Sequence, residues 1–150
     1  MSVGEYSTLN KVVLGEGTVV WNHCNLYGCE IGRNCRIASF VEIGRNVKIG
    51  DNCKIEAGAF IPEGVTIESD CFVGPHVCFT NDLYPKALEA NWKVTETLIK
   101  RGASVGANST VLCGVVIGRN ALVGCGSLVL RDVPDNMVFR GGEVFDRKKV

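Results

Sequence analysis

Residues 31–79 read IGRNCRIASFVEIGRNVKIGDNCKIEAGAFIPEGVTIESDCFVGPHVCF. Stepping by six from Ile31 meets Ile37, Ile43, Ile49, Ile55, Ile61, Ile67, Val73 and Phe79, all large and apolar. Four places after each aliphatic residue stands a smaller apolar one: Cys35, Val41, Val47, Cys53, Ala59, Val65, Cys71 and Val77. The residue directly after it is often Gly or Ala, as at Gly32, Ala38, Gly44, Gly50 and Gly74. Helical apolar spacing would alternate between three and four. A lone half-buried strand would alternate by two over one short run. A phase of six held this long predicts a solenoid instead. Each hexad supplies a short strand and a corner, three hexads close a triangular coil, and coils stack their strands in parallel about 4.8 Å apart. The small residue is expected to relieve strain where the backbone turns.

Outward from this stretch the phase persists. It resumes at Ile99, Val105, Val111, Ile117, Val123 and Val129, and it precedes Ile31 at Leu14, Val20 and Leu26, with one step of five between Leu26 and Ile31. The repeat thus runs over roughly residues 12–79 and 99–134. Between them, residues 80–98 read TNDLYPKALEANWKVTETL and carry no such rhythm. Long excursions from a rigid scaffold commonly carry function. Phe60 and Phe72 at the last hexad position, and Phe40 at the fourth, are expected to face outward and mark contacts between chains.

Composition narrows the class. With 150 residues the chain suits one domain, 1–150. Its 16 basic and 16 acidic residues cancel, which argues against nucleic acid or an anionic membrane as partner. No basic-then-apolar leader opens the chain and no apolar run is long enough to span a bilayer, so a cytoplasmic protein is expected. The eight cysteines form no C-x-x-C pair, no metal site is expected, and small core residues are the expected role for the thiols. Cys35, Cys53 and Cys71, spaced by 18, would stack as one inward column, left unbridged in a reducing compartment.

The hexad pattern resembles the hexapeptide-repeat acyltransferases, whose fold is a left-handed parallel β-helix. A narrower resemblance rests on Gly74-Pro75 followed by Phe79-Thr80-Asn81 and Tyr84-Pro85, on Lys100-Arg101-Gly102-Ala103 continuing to Gly106-Ala107-Asn108, on Val111 to Gly118, and on Trp21. These segments are similar to acetyltransferases that N-acetylate 3-amino sugars carried on a nucleoside diphosphate. Asn25 stands where members of that group often carry histidine. The resemblance implies an acetyl-CoA-dependent N-acetyltransferase, working as a homotrimer with the thioester in a groove between subunits. Other acceptors, including a hydroxyl, and a non-catalytic scaffold are the alternatives.

Acetyl transfer to an amine needs a held nucleophile, a route for its proton and a donor for the developing oxyanion. Asn81, at the hinge of the excursion, is the leading catalytic candidate, since its amide both donates and accepts. His76 is the candidate base, imidazole being the side chain that ordinarily changes charge in the physiological range. Trp21, His23, Asn25, Asp82 and Tyr84 are candidates for the nucleotide sugar. Gly102, Ala103, Ser104, Gly106, Ala107 and Gly124 offer a small-residue bed for a pantetheine arm, and Lys100, Arg101 and Arg119 could meet the CoA phosphates. A zinc lyase on this fold would need three histidine ligands, and the chain has two histidines.

Overall fold

The computed structural model describes residues 2–149 and is a parallel β-helix with three faces. Val19–Val20, Arg36–Ile37, Lys54–Ile55, Phe72–Val73, Ser104–Val105 and Leu122–Val123 lie on the first face. Asn25–Tyr27, Glu42–Ile43, Phe60–Ile61, Cys78–Phe79, Thr110–Val111 and Leu128–Val129 form the second. Glu30–Ile31, Lys48–Ile49, Val65–Ile67, Thr97–Ile99 and Val116–Ile117 form the third. Ile37 pairs with Ile55, Ile43 with Ile61 and Ile31 with Ile49, so three hexads make one coil. Ile37, Ile43, Ile55 and Ile61 are fully buried, and each such burial is worth about 1.5–3 kcal/mol.

The helix begins earlier than the hexad count indicates. Ser2–Val3, Thr8–Asn10 and Val13–Leu14 already form a coil, paired in parallel beneath the next one. Leu9 and Leu14 are five apart, the same short step as Leu26 to Ile31, and this slip hides the first coil from a six-residue period. Among the described residues no coil packs beneath its inward residues, and Val3 is exposed.

Glycine serves the corners differently from expectation. The residue that turns left-handed is the third after the aliphatic one, and it is most often asparagine or glycine: Asn34, Asn46, Asn52, Asn108 and Asn120 all have φ between 51° and 60°, and Gly17, Gly58, Gly64, Gly102, Gly114 and Gly126 hold the same corner. Asparagine tolerates that region through its short polar side chain. Gly32 and Gly50, directly after the aliphatic residue, keep ordinary φ; a Cβ on either would collide with the backbone of the next coil. They are small because the rungs approach closely there.

Among the eight thiols, Cys24, Cys29, Cys35, Cys53, Cys71 and Cys113 are buried, while Cys78 is half-buried and Cys125 exposed, so the last two are not core residues. The inward column is also a hydrogen-bonding device. Cys35 Sγ donates to Gly50 O (3.1 Å), Cys53 Sγ to Glu68 O (3.1 Å) and Cys71 Sγ to Lys100 O (3.2 Å). Thr18 does the same one coil earlier, with Oγ1 donating to Gly32 O at 2.6 Å. Each satisfies a corner carbonyl of the coil above. Burial pushes the Cys29 thiol up to about 11. Cys53 also rises to about 11: its contact with Cys35 favours the thiolate, but its contact with Cys71 and burial outweigh it.

The far end is closed. Met137–Arg140 continues the first face and turns through Gly141 and Gly142, both with positive φ, into antiparallel Glu143–Asp146. Val138 and Phe139 are buried over the last coil.

Candidate functional site

The edges between faces carry most of the candidate residues. At the edge joining the first and second faces, the left-handed corner position holds Tyr6, His23, Phe40, Gly58, His76, Asn108 and Gly126 in ascending coils. Tyr6 and His23 stack with ring centroids 5.2 Å apart, and His23 and Phe40 at 5.0 Å, so His23 is the middle of a ring pile that braces the first coils. The pile ends at Gly58, and His76, exposed, stands one coil higher.

Beside the lower part of this edge lies a cavity of about 560 Å³. Trp21 lines it with Ala38, Ser39, Ala57, Arg36 and Lys54. Arg36 and Lys54 are register partners on adjacent rungs. Lys54 Nζ is paired with Glu56 at 2.8 Å. These two cations escaped the sequence reading because outward hexad positions look like ordinary solvated charge; reading residues 18 apart as vertical neighbours would have found them. Above His76 on the same edge are Gly106 and Ala107, then Gly124 and Cys125, where a Cβ on Gly106 would strike the Cys125 backbone. Gly106, Ala107, Gly124 and Cys125 are thus neighbours along this edge.

Asn81 lies elsewhere. The excursion leaves after Phe79 and returns at Thr97, at the edge joining the second and third faces. Its feet are tied: Thr95 N donates to Asn81 O (2.9 Å), Thr97 N to Gly64 O (2.9 Å) and Cys113 N to Thr80 Oγ1 (2.9 Å). Half-buried Asn81 lines a cavity of about 390 Å³ with Tyr27, Phe60, Pro62, Glu63 and Trp92. Trp92 returns the loop onto earlier coils. Burial first, and then its hydrogen bond to Glu42, push the Tyr27 phenol up. Asp82 Oδ1 accepts from Tyr84 N (3.0 Å), an internal turn bond, and Tyr84 is exposed on the loop. Asn25 is exposed on the second face of a low coil.

His76 and Asn81 therefore occupy opposite ends of one strand, about 17 Å apart at most in an extended chain. One protomer does not bring them together. The third edge, between the third and first faces, holds Lys100, Arg101, Gly102 and Arg119, while Ala103 is buried and Ser104 faces outward on the first face. Arg101 is held by Asp70 (3.6 Å), and its backbone N–H donates to Glu68 Oε2. Arg119 N donates to Asp135 Oδ1, and its exposed side chain shares a groove with Arg101. Similarly, the Arg33 N–H and guanidinium hold the Asp51 carboxyl below its ordinary range. The basic candidates and the upper part of the small-residue bed thus sit on different edges of one chain.

Residues 11–45 and 46–81 match the bacterial transferase hexapeptide (six repeats) family, and residues 101–131 match the hexapeptide repeat of succinyl-transferase. The gap between the matches is the excursion. The chain belongs to the hexapeptide-repeat transferases. Its β-helix is the left-handed one of this family. Searching curated proteins finds no match to the sequence. Among solved structures, a variant of GDP-perosamine N-acetyl transferase from Caulobacter crescentus, in complex with CoA and GDP-perosamine, is 22% identical with a TM-score of 0.64. The alignment covers 95% of this chain and 56% of that one, so this hexapeptide-repeat chain spans little more than half of that relative. A variant of AntD, an N-acyltransferase from Bacillus cereus in complex with dTDP and coenzyme A, is 19% identical with a TM-score of 0.62, covering 96% of this chain and 81% of that one. A maltose O-acetyltransferase from Clostridium difficile 630 is 16% identical with a TM-score of 0.59, covering 94% and 67%. At these identities the likeness shows the fold. Among the described residues no helix is long and apolar enough to cross a membrane, and no group of three or more His, Cys, Asp or Glu is placed to hold a metal ion.

Proposed function

We propose that this transferase moves an acetyl group from acetyl-CoA to the amino group of a nucleoside-diphosphate-linked amino sugar, with a 3-amino sugar favoured, at the boundary between subunits of a homotrimer. The observation that carries this reading is the sequence of surfaces along the first edge. Below His76 is the cavity with Trp21, Arg36 and Lys54, suited to a base and a diphosphate. Above it are Gly106, Ala107 and Gly124, a bed on which an amide-rich arm can reach backbone groups. The two substrates would approach His76 from opposite directions, and rungs about 4.8 Å apart give the cavity the reach of a nucleotide sugar. The N-acyltransferase complexes with nucleotide sugar or nucleotide and CoA support the substrate class.

The chemistry is direct. The neutral amine attacks the thioester carbonyl and forms a C–N bond, and His76 accepts a proton from the nitrogen. The tetrahedral intermediate then collapses with cleavage of the C–S bond, and the CoA sulfur leaves as thiolate and takes up a proton. Asn81, on the edge away from its own His76, would serve the neighbouring subunit's groove and orient the acceptor amine there. That is the physical reason for a trimer: the site is incomplete within one chain.

The test is a thiol-release assay with acetyl-CoA against UDP- and dTDP-linked 3-amino and 4-amino sugars. Turnover with an amino sugar is expected. Turnover only with hydroxyl acceptors would make it an O-acetyltransferase, and absence of CoA binding would make it a scaffold; either overturns the reading.

A further inference from the structure

Gly58 occupies the left-handed corner one coil below His76, with φ of 72°. A Cβ placed there would overlap Nδ1 and Cε1 of the His76 ring and lie 3.3 Å from Cγ. The Nδ1–Cε1 side of the imidazole therefore occupies the space that a side chain at position 58 would fill. His76 itself is pinned: its φ is 56° and its backbone N–H donates to Ala57 O at 2.9 Å, directly beside Gly58. Among the described residues no side-chain hydrogen bond holds the ring. What limits its position is the packing against the glycine below.

The rest of this edge shows the alternative. Where the position below carries a ring, the upper ring stacks parallel to it at the rung spacing, as in Tyr6, His23 and Phe40, with interplanar angles of 9° and 3°. Only the missing side chain at position 58 breaks the pile beneath His76. Glycine is not required there by the turn, because asparagine also takes the left-handed region, with φ of 51° to 60°, at Asn34, Asn46, Asn52, Asn108 and Asn120. The absent Cβ thus acts on the neighbouring ring.

We infer that Gly58 is a positioning residue for His76, setting which ring nitrogen faces the acceptor amine; this rests on the reading of His76 as the proton acceptor. Gly58→Asn keeps the left-handed turn and fills the space under the ring. The expected result is a fold of wild-type thermal stability within a few degrees, unchanged CoA binding, turnover at saturating substrates lowered at least ~10-fold, and a displaced limb in the pH–rate profile. In the His76→Ala background the same change should have no further effect on turnover. Normal turnover and pH profile in Gly58→Asn, alongside a slow His76→Ala, overturn the positioning role and leave the base role standing. Full activity in His76→Ala removes both. Should Gly58→Asn fail to fold, proton NMR of the wild-type protein decides: a nuclear Overhauser contact between His76 Hε1 and the Gly58 α-protons is expected, and its absence at full occupancy of the fold sinks the inference.

Discussion

Asn81 is anchored by the coil through Phe79, fully buried two residues earlier, and by its carbonyl bond from Thr95. Its amide side chain is free for an acceptor. Asn81→Ala is expected to lower acetyl transfer at least ~10-fold, about 1.4 kcal/mol of transition-state stabilisation, while leaving assembly intact; steady-state rates with size analysis check both. The buried thiols give a second expectation. Cys29 and Cys53 ionise near 11 in the fold, against about 9 for the ordinary thiol. Below pH 9 both states keep their protons and the thiols add no pH dependence. Between about 9 and 11 the unfolded chain ionises first, binds fewer protons than the native state, and gains stability relative to it. The melting temperature should therefore fall across that window, and Cys29→Ala should flatten part of the slope. Thr18 is a third case: Thr18→Val removes the donor to Gly32 O and the acceptor for Cys35 N, and should cost about 1–3 kcal/mol in denaturant unfolding.

Each two-residue strand from Val19–Val20 to Leu128–Val129 contributes one buried apolar residue, so an element is only as stable as its rung. Ile55 packs between Ile37 and Val73 in the first-face ladder and has no exposed surface. Ile55→Asp would place an unpaired carboxylate there at a cost of several kcal/mol, and insoluble expression or a large drop in melting temperature is expected. An unchanged melting temperature would contradict the inward assignment. The excursion obeys different rules. Its period is absent from the sequence because it packs as a loop, with Trp92 against a lower edge and Leu88 almost wholly exposed. Where it lands was not legible, since no repeat constrains it.

For the molecule as a whole, some exposed apolar residues lie near the second face and the first edge, while Val13 lies on the third face and Leu83, Tyr84, Leu88 and Trp92 on the excursion. Phe60, Leu128 and Leu130 lie on or just beyond the second face, and Trp21 and Phe40 lie at the first edge. Such surfaces suit contacts between chains. On the proposed reading, with His76 and Asn81 at opposite ends of a strand, a complete site needs two copies. A solution mass of three chains at micromolar concentration is expected by light scattering, and a stable monomer that retains full turnover would reject the shared site.

The period of six by itself determined the solenoid, the coil of three hexads, the inward aliphatic columns and the thiol column from Cys35 to Cys71, because burial in a stacked coil repeats with every rung. The break at Thr80 was equally legible, since a lost period needs no structure to be seen. Only the tertiary structure decided what stands above what where a coil departs from 18 residues. His23 meets Phe40 after 17 residues and His76 lies beneath Asn108 after 32, because a short corner and the excursion change the length of a coil without changing its rung. Outward side chains are free of the packing constraint that writes the hexad into the sequence. The candidate site is drawn from those side chains, so its geometry is set by coil length and corner conformation.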